Sequence, residues 1–136
     1  MAAATEDRDT ARRSGNIIPI DVAAATTIYN GTLVANDASG NAVPASDAAG
    51  LQVQGTATEQ ADNATGVAGD IQVEVTREPV LMDNSVTNAL DKSHVGTDCY
   101  VEDDQTVSSS GGTNSIVAGR VLEVTEDGVW IDPSRA

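Results

Sequence analysis

Apolar and polar residues alternate along short stretches of this chain with a period of two residues. The clearest case is segment 71–77 (IQVEVTR), in which Ile, Val and Val alternate with Gln, Glu and Thr. Successive side chains of a β-strand point to opposite faces of the sheet, so this pattern predicts a strand with one buried and one wet face. We expect this segment to be the most regular strand of the fold.

Similar short runs recur along the chain, separated by turn residues such as Asn30-Gly31 and the Glu126-Asp127-Gly128 turn of a closing hairpin. Of the 28 Val, Ile and Leu residues, 23 are β-branched, which favours strands over helices. We therefore predict an all-β fold, a small β-barrel or jelly-roll-like sandwich of about eight strands. The further predicted strand segments are 16–22, 27–36, 41–46, 51–60, 79–82, 98–103 and 116–132.

Three features interrupt this pattern. Segment 85–94 has helical spacing of its apolar residues and predicts one short helix, with Asn84 or Ser85 as its N-cap. Segments 61–70 and 108–115 are polar and rich in glycine or serine, so we expect loops there. Pro19 has no N–H to donate to a neighbouring strand, so the first strand segment should be an edge or a lone extended piece.

The first 15 residues differ in character from the rest of the chain. They contain no large aliphatic residue beyond the initiator Met, and three acids balance three bases. Such a composition is typical of a flexible or extended segment. We predict an N-terminal arm over residues 1–22 and a single β domain over residues 23–136.

The charge of the chain restricts its partners. The formal net charge is −14, and after Gly15 the chain has 18 acids but only four cationic residues. This charge repels nucleic acid and anionic membranes, so neither is an expected partner. The start of the chain lacks an apolar leader segment, and no stretch is apolar enough to span a bilayer, so we expect a soluble protein made in the cytoplasm.

The supply of residues for a core is small. The 28 large aliphatic residues are accompanied by no Phe, one Trp and two Tyr. A chain that buries little apolar surface alone often completes its burial against another subunit. The composition therefore favours an oligomer or a protein that docks onto another protein.

Catalytic and metal-binding patterns are weak. His94 is the single histidine, no phosphate-binding or nucleophile motif occurs, and Cys99 is expected to be a small core residue. Residues 102–104 (EDD) offer oxygen ligands for calcium but lack the spacing of a known calcium loop, and a solvated acidic turn is the simpler interpretation. We expect no enzyme activity and no cofactor.

Four blocks of the chain, 31–46 (GTLVANDASGNAVPAS), 66–77 (GVAGDIQVEVTR), 96–112 and 116–132, together resemble the capsid decoration (cement) proteins of tailed bacteriophages. Segment 96–112 (GTDCYVEDDQTVSSSGG) is similar to a G-x-x-x-Y-V-x-D-x-x-T-V pattern of that family, and 116–132 (IVAGRVLEVTEDGVWID) to its closing hairpin. Segments 31–46 and 66–77 resemble the opening and central strands of the family. The resemblance implies a β module without catalysis that binds the outer surface of an assembled head.

On this hypothesis the partners are the major capsid protein and other copies of the chain, with a homotrimer expected in preference to a dimer on the resemblance alone. The protein would then lie on the outside of the virion. The residues predicted to contact the capsid from the arm are Arg8, Arg12, Arg13, Ile17, Ile18 and Ile20. The residues predicted to contribute to self-association are Tyr29, Leu81, Met82 and Trp130.

Two other classes of protein fit the same composition. One is a secreted or cell-surface β-sandwich module for adhesion or carbohydrate binding, against which the missing leader segment argues. The other is a small acidic enzyme or calcium-dependent carbohydrate binder.

Overall fold

A computed structural model describes residues 2–11 and 15–136 of the chain, and the described part folds mainly into short β-strands. Two short 3₁₀ helices, Lys92–His94 and Pro133–Arg135, accompany them. The strands are β1 (Ile17–Asp21), β2 (Thr26–Ile28), β3 (Leu33–Asn36), β4 (Ala42–Pro44), β5 (Gln52–Ala57), β6 (Ala61–Asn63), β7 (Gln72–Thr76), β8 (Val80–Asn84), β9 (Asp98–Val101), β10 (Thr106–Ser108), β11 (Val117–Thr125) and β12 (Gly128–Asp132). The all-β prediction is confirmed.

The first half of the chain builds an open sheet in the order β1-β7-β5-β3-β4, in which every neighbouring pair is antiparallel. β2 and β6 form a separate antiparallel pair. The strand predicted from the alternation in 71–77 is β7, whose Val73 and Val75 are buried while Gln72 and Glu74 are exposed.

The second half closes into a five-stranded barrel in the order β10-β8-β12-β11-β9. Its pairs are antiparallel except β8 with β10, which run parallel and close the ring. The predicted closing hairpin is β11–β12, and its turn lies between Thr125 and Gly128 as expected. Closure leaves no strand edge in the barrel open to pairing.

Two separate hydrophobic cores stabilise this architecture. One fills the barrel and reaches the open sheet, and the other lies between the open sheet and the β2–β6 pair. β3 contributes to both cores, because Leu33 and Ala35 point into the first and Val34 into the second. A strand covered on both faces is expected to be apolar throughout, and β3 (LVAN) is apolar in its first three positions.

The helix predicted over 85–94 is wrong. Residues 85–91 are irregular, and only Lys92–His94 makes a single 3₁₀ turn, capped by Asp91. The side chain of Asn84 accepts the N–H of Leu90 at 2.9 Å and donates to its C=O at 2.8 Å. The Asn84 side chain thus binds the backbone N–H and C=O of Leu90, which a helix would need for its own hydrogen bonds. The segment therefore forms a loop.

The loop predicted over 61–70 is also partly wrong, because Ala61–Asn63 is strand β6. Asn63 is buried, and its side-chain amide donates to the C=O groups of Ala23 and Val67, each at 3.0 Å. A polar residue in a buried strand position is stable only when its hydrogen bonds are made internally.

The predicted arm over residues 1–22 extends too far into the chain. Ile17–Asp21 is the edge strand β1, paired with β7 from Ile17 to Asp21. The position of Pro19 on an edge strand agrees with its missing N–H. The side chains of Ile20 and Val22 are buried in the second core, which ties this segment to the body.

Candidate functional site

Residues 2–11 are exposed throughout. Among them the one hydrogen bond is internal and joins the N–H of Thr10 to the C=O of Arg8 at 3.1 Å. Arg8 is exposed, and the predicted contacts Arg12 and Arg13 lie outside the described residues.

The three isoleucines assigned to the arm are placed differently from one another. Ile17 is exposed, Ile18 is partly buried, and Ile20 is buried in the second core. Ile20 is therefore unavailable as a capsid contact, because exposing it would require β1 to leave the sheet. The sequence predicts that Ile17–Asp21 is extended, but it does not show that this strand pairs with β7.

Of the four residues predicted for self-association, three lie at the surface. Tyr29 is 59% exposed, Trp130 40% and Leu81 37%. Met82 is 3% exposed and belongs to the barrel core, so its assignment to an interface is wrong. Its neighbour Leu81 points outward because adjacent residues of a strand face opposite sides.

Leu81 and Trp130 form a pair on the outside of the barrel. They lie directly opposite each other in the β8–β12 register. β11 has a bulge between Val121 and Glu123, and its extra residue, Leu122, is also exposed and directly precedes Glu123, the register partner of Trp130. We call Leu81, Leu122 and Trp130 the outer barrel face; sequence analysis missed Leu122 because a bulge changes which side chains point outward.

The candidate catalytic residues His94 and Cys99 both have partners within the chain. His94 accepts the N–H of Asp91 at its Nδ1 at 3.0 Å, and the hydroxyl of Ser93 donates to Asp91 instead of to His94. This arrangement lacks the hydroxyl-to-imidazole hydrogen bond that activates a serine nucleophile. Burial raises the pKa of Cys99 to about 12, so its thiolate is not formed near neutral pH.

The acidic segment considered for calcium does not converge on one point. Glu102 accepts the hydroxyl of Ser85 at 2.7 Å, and Asp103 accepts the N–H of Gln105 at 2.9 Å. Burial, and then the neighbouring Asp103, raise the pKa of Asp104. Over residues 2–11 and 15–136, no three acidic, histidine or cysteine side chains come together in a metal-binding cluster.

Asp47 fastens the loop that follows β10. Its two carboxylate oxygens accept the N–H groups of Thr113 and Asn114, each at 2.9 Å, and one also accepts the side-chain amide of Asn114 at 3.0 Å. These backbone hydrogen bonds lower the pKa of Asp47. Of the loop predicted over 108–115, Ser108 is the last residue of β10, and residues 109–115 are irregular but held in place by Asp47.

A groove of about 360 Å³ lies along β1 and the neighbouring strands. It contains the hydrogen bond from Arg77 to the side chain of Gln54 at 3.2 Å, and the side-chain oxygen of Asn36, which is buried without a donor. None of its nine lining residues is aromatic. The groove therefore lacks the aromatic surface against which ligand rings commonly pack.

No protein-family model, curated protein or solved structure matches this chain. The described residues also include no helix with the length and apolar character needed to cross a membrane. The two surface features that distinguish the described part of the chain are the exposed arm and the outer barrel face.

Proposed function

We propose that this protein is a non-enzymatic decoration protein of a tailed-phage capsid, which binds the outer surface of the head and bridges major capsid protein subunits. The observation that carries the proposal is the exposed segment 2–11 in front of a body with its own two cores. An arm whose residues are exposed can become ordered on a neighbouring surface.

The arm would supply directional contacts to the capsid. Arg8, together with Arg12 and Arg13 of the sequence, would pair with carboxylates of the capsid subunit. Ile17, exposed at the start of β1, would add an apolar contact where the arm leaves the body. Because the same contact recurs at many equivalent positions on a shell, a modest free energy per copy would reinforce the whole particle.

The edge of β1 is a poor place for a partner strand. The backbone N–H of Arg77 donates to the C=O of Asn16, and the backbone N–H of Val22 donates to the C=O of Ile71. The backbone N–H and C=O groups of the even-numbered residues in this segment therefore point toward β7. Pro19 therefore turns its nitrogen toward the open edge, where it offers no donor. Backbone pairing with a neighbour is accordingly assigned to the arm before Ile17.

Deletion of residues 1–15 tests this proposal. The truncated protein should keep the thermal melting of the full chain and show reduced occupancy on purified heads in a sedimentation assay. A full-length variant with Arg8, Arg12 and Arg13 replaced by Gln is the matched control for charge, and its loss of binding should grow smaller as salt rises. Unchanged occupancy of the truncated protein would remove the arm from the mechanism.

The alternative of an adhesion or carbohydrate-binding module predicts a different result. Such a module would bind a soluble sugar or calcium with a rise in melting temperature, because a ligand that binds the folded state stabilises it. A decoration protein would bind heads in the presence of a calcium chelator.

A further inference from the structure

The outer barrel face exposes the single Trp of a chain that has few large residues for its cores. Trp130 lies opposite Leu81, and both remain more than one-third exposed, although the barrel interior beneath them is filled by Val129, Ile131 and Met82. Burying Trp and Leu side chains contributes strongly to binding when a partner covers them.

Carboxylates surround this face. Glu123 is the register partner of Trp130, and Asp83 and Asp132 follow Leu81 and Trp130 by two residues on the same faces of their strands. The β11–β12 turn adds Glu126 and Asp127. One cation, Arg120, lies beside these acids as the register partner of Asp132.

We infer that the outer barrel face is the body's docking site on the capsid, and that the capsid subunit presents there an apolar recess bordered by lysine or arginine side chains. This inference rests on the proposed function and names the chemistry of the partner surface. The apolar centre would supply affinity, and the acidic border would supply attraction and orientation.

The body of a second copy of this chain fits the face poorly. Two identical outer barrel faces would bring their acidic borders together, and like charges in contact oppose association. After Gly15 the chain carries only four cations against 18 acids, so no other part of the body provides a matching basic border. The charge pattern therefore favours a capsid contact over self-association for Leu81 and Trp130.

Binding of purified heads that lack the protein tests this inference, with occupancy measured by sedimentation. Trp130→Ala should weaken binding by about tenfold or more, as expected for a central aromatic contact. Val86→Ala is the matched control, because Val86 is apolar and 98% exposed on the loop after β8, and it should bind as the full chain does.

Glu123→Gln provides a second measurement that does not depend on removing a large side chain. Binding of the unmodified protein should weaken as salt rises from roughly 0.1 to 0.5 M, and this dependence should be shallower for Glu123→Gln. Glu59→Gln, an exposed acid in the segment between β5 and β6, should leave the salt dependence unchanged.

The possible outcomes separate the inference from the proposed function. If the full chain binds heads and both Trp130→Ala and Glu123→Gln bind equally well, the inference is overturned while the decoration function stands. If the full chain does not bind heads, both are overturned. If Trp130→Ala abolishes self-association in sedimentation velocity without changing head binding, a second copy is the occupant and the inference is wrong.

Discussion

Leu81 and Trp130 lie directly opposite each other across β8 and β12, on the outside of the barrel. Their chain neighbours Met82, Val129 and Ile131 point inward and are buried in the barrel core. The same two strands therefore carry a core contact on one face and an exposed apolar pair on the other, which makes their contributions to stability and to binding separable by mutation.

Ile131→Ala should destabilise the fold much more than Trp130→Ala. Removing the buried Ile131 side chain leaves a cavity and should cost about 2–5 kcal/mol. Trp130 stabilises the body mainly as one member of a cross-strand pair, so its removal should cost about 1 kcal/mol.

Urea unfolding of the two variants measures both costs. An equal or larger loss for Trp130→Ala would mean that Trp130 is a core residue of the isolated protein. That result would also remove the reason for treating the outer barrel face as a binding surface.

Gly128→Ala should be more damaging than an ordinary substitution in a turn. Gly128 has φ of +144°, and a Cβ atom at this position would lie 2.3 Å from the C=O oxygen of Met82, beneath Leu81. Because backbone atoms of a barrel cannot move away cheaply, we expect a loss of about 2 kcal/mol or more.

Gly40→Ala is the matched control for Gly128→Ala. Gly40 also has positive φ, at +81°, but an added Cβ would meet nothing within 4 Å. Its cost should be limited to the strain of the left-handed backbone, about 1 kcal/mol. Similar losses for the two variants in urea unfolding would show that the close approach to Met82 is relieved without cost.

The sequence was sufficient to predict the features that depend on local alternation. It predicted β7, the β11–β12 hairpin and the edge position of Pro19, because side-chain period and proline chemistry are local properties. It was not sufficient for segment 85–94, where helical spacing was outweighed by the hydrogen bonds of Asn84 to Leu90.

For the candidate site, the sequence identified Leu81 and Trp130 but not their relationship. Met82 was misassigned because strand register decides which neighbour points outward, and register depends on pairing with distant β12. Leu122 was missed because a bulge in β11 exposes it. Ile20 was assigned to the arm because its pairing partner, Val73, lies 53 residues further along the chain, and such a distant pairing is not visible in the local sequence pattern.

The pKa values of Asp47 and Asp104 should differ from the ordinary value of 3.8 in opposite directions. Hydrogen bonds from the backbone of Thr113 and Asn114 lower the pKa of Asp47, so its stabilising effect is present above pH 3.8 and is lost as pH falls through the lower folded-state value. Burial, and then the neighbouring Asp103, raise the pKa of Asp104. The charged form of Asp104 therefore destabilises the fold, and protonation on acidification removes that destabilisation.

Proton NMR measures both effects. The amide signals of Thr113 and Asn114 should shift with a midpoint below pH 3.8, and the signals around Asp104 with a midpoint above it. In Asp47→Asn the acid-dependent shift of Thr113 and Asn114 should disappear. A midpoint for these amides at or above the ordinary value would mean that the loop is not held by Asp47 in solution.

Cys99 should resist alkylation for as long as the fold is intact. Its side chain is buried in the barrel core, its sulfur lies 3.5 Å from the C=O oxygen of Gly119, and burial raises its pKa to about 12. At pH 8 the native thiol should therefore react with iodoacetamide far more slowly than the same thiol in urea-unfolded protein, since the thiolate is the reacting form. The reaction should follow unfolding across a urea series, and Ile131→Ala should accelerate it at low urea in proportion to its loss of stability. Rapid alkylation of the native chain, independent of Ile131→Ala, would show that β9 and β11 separate locally without global unfolding.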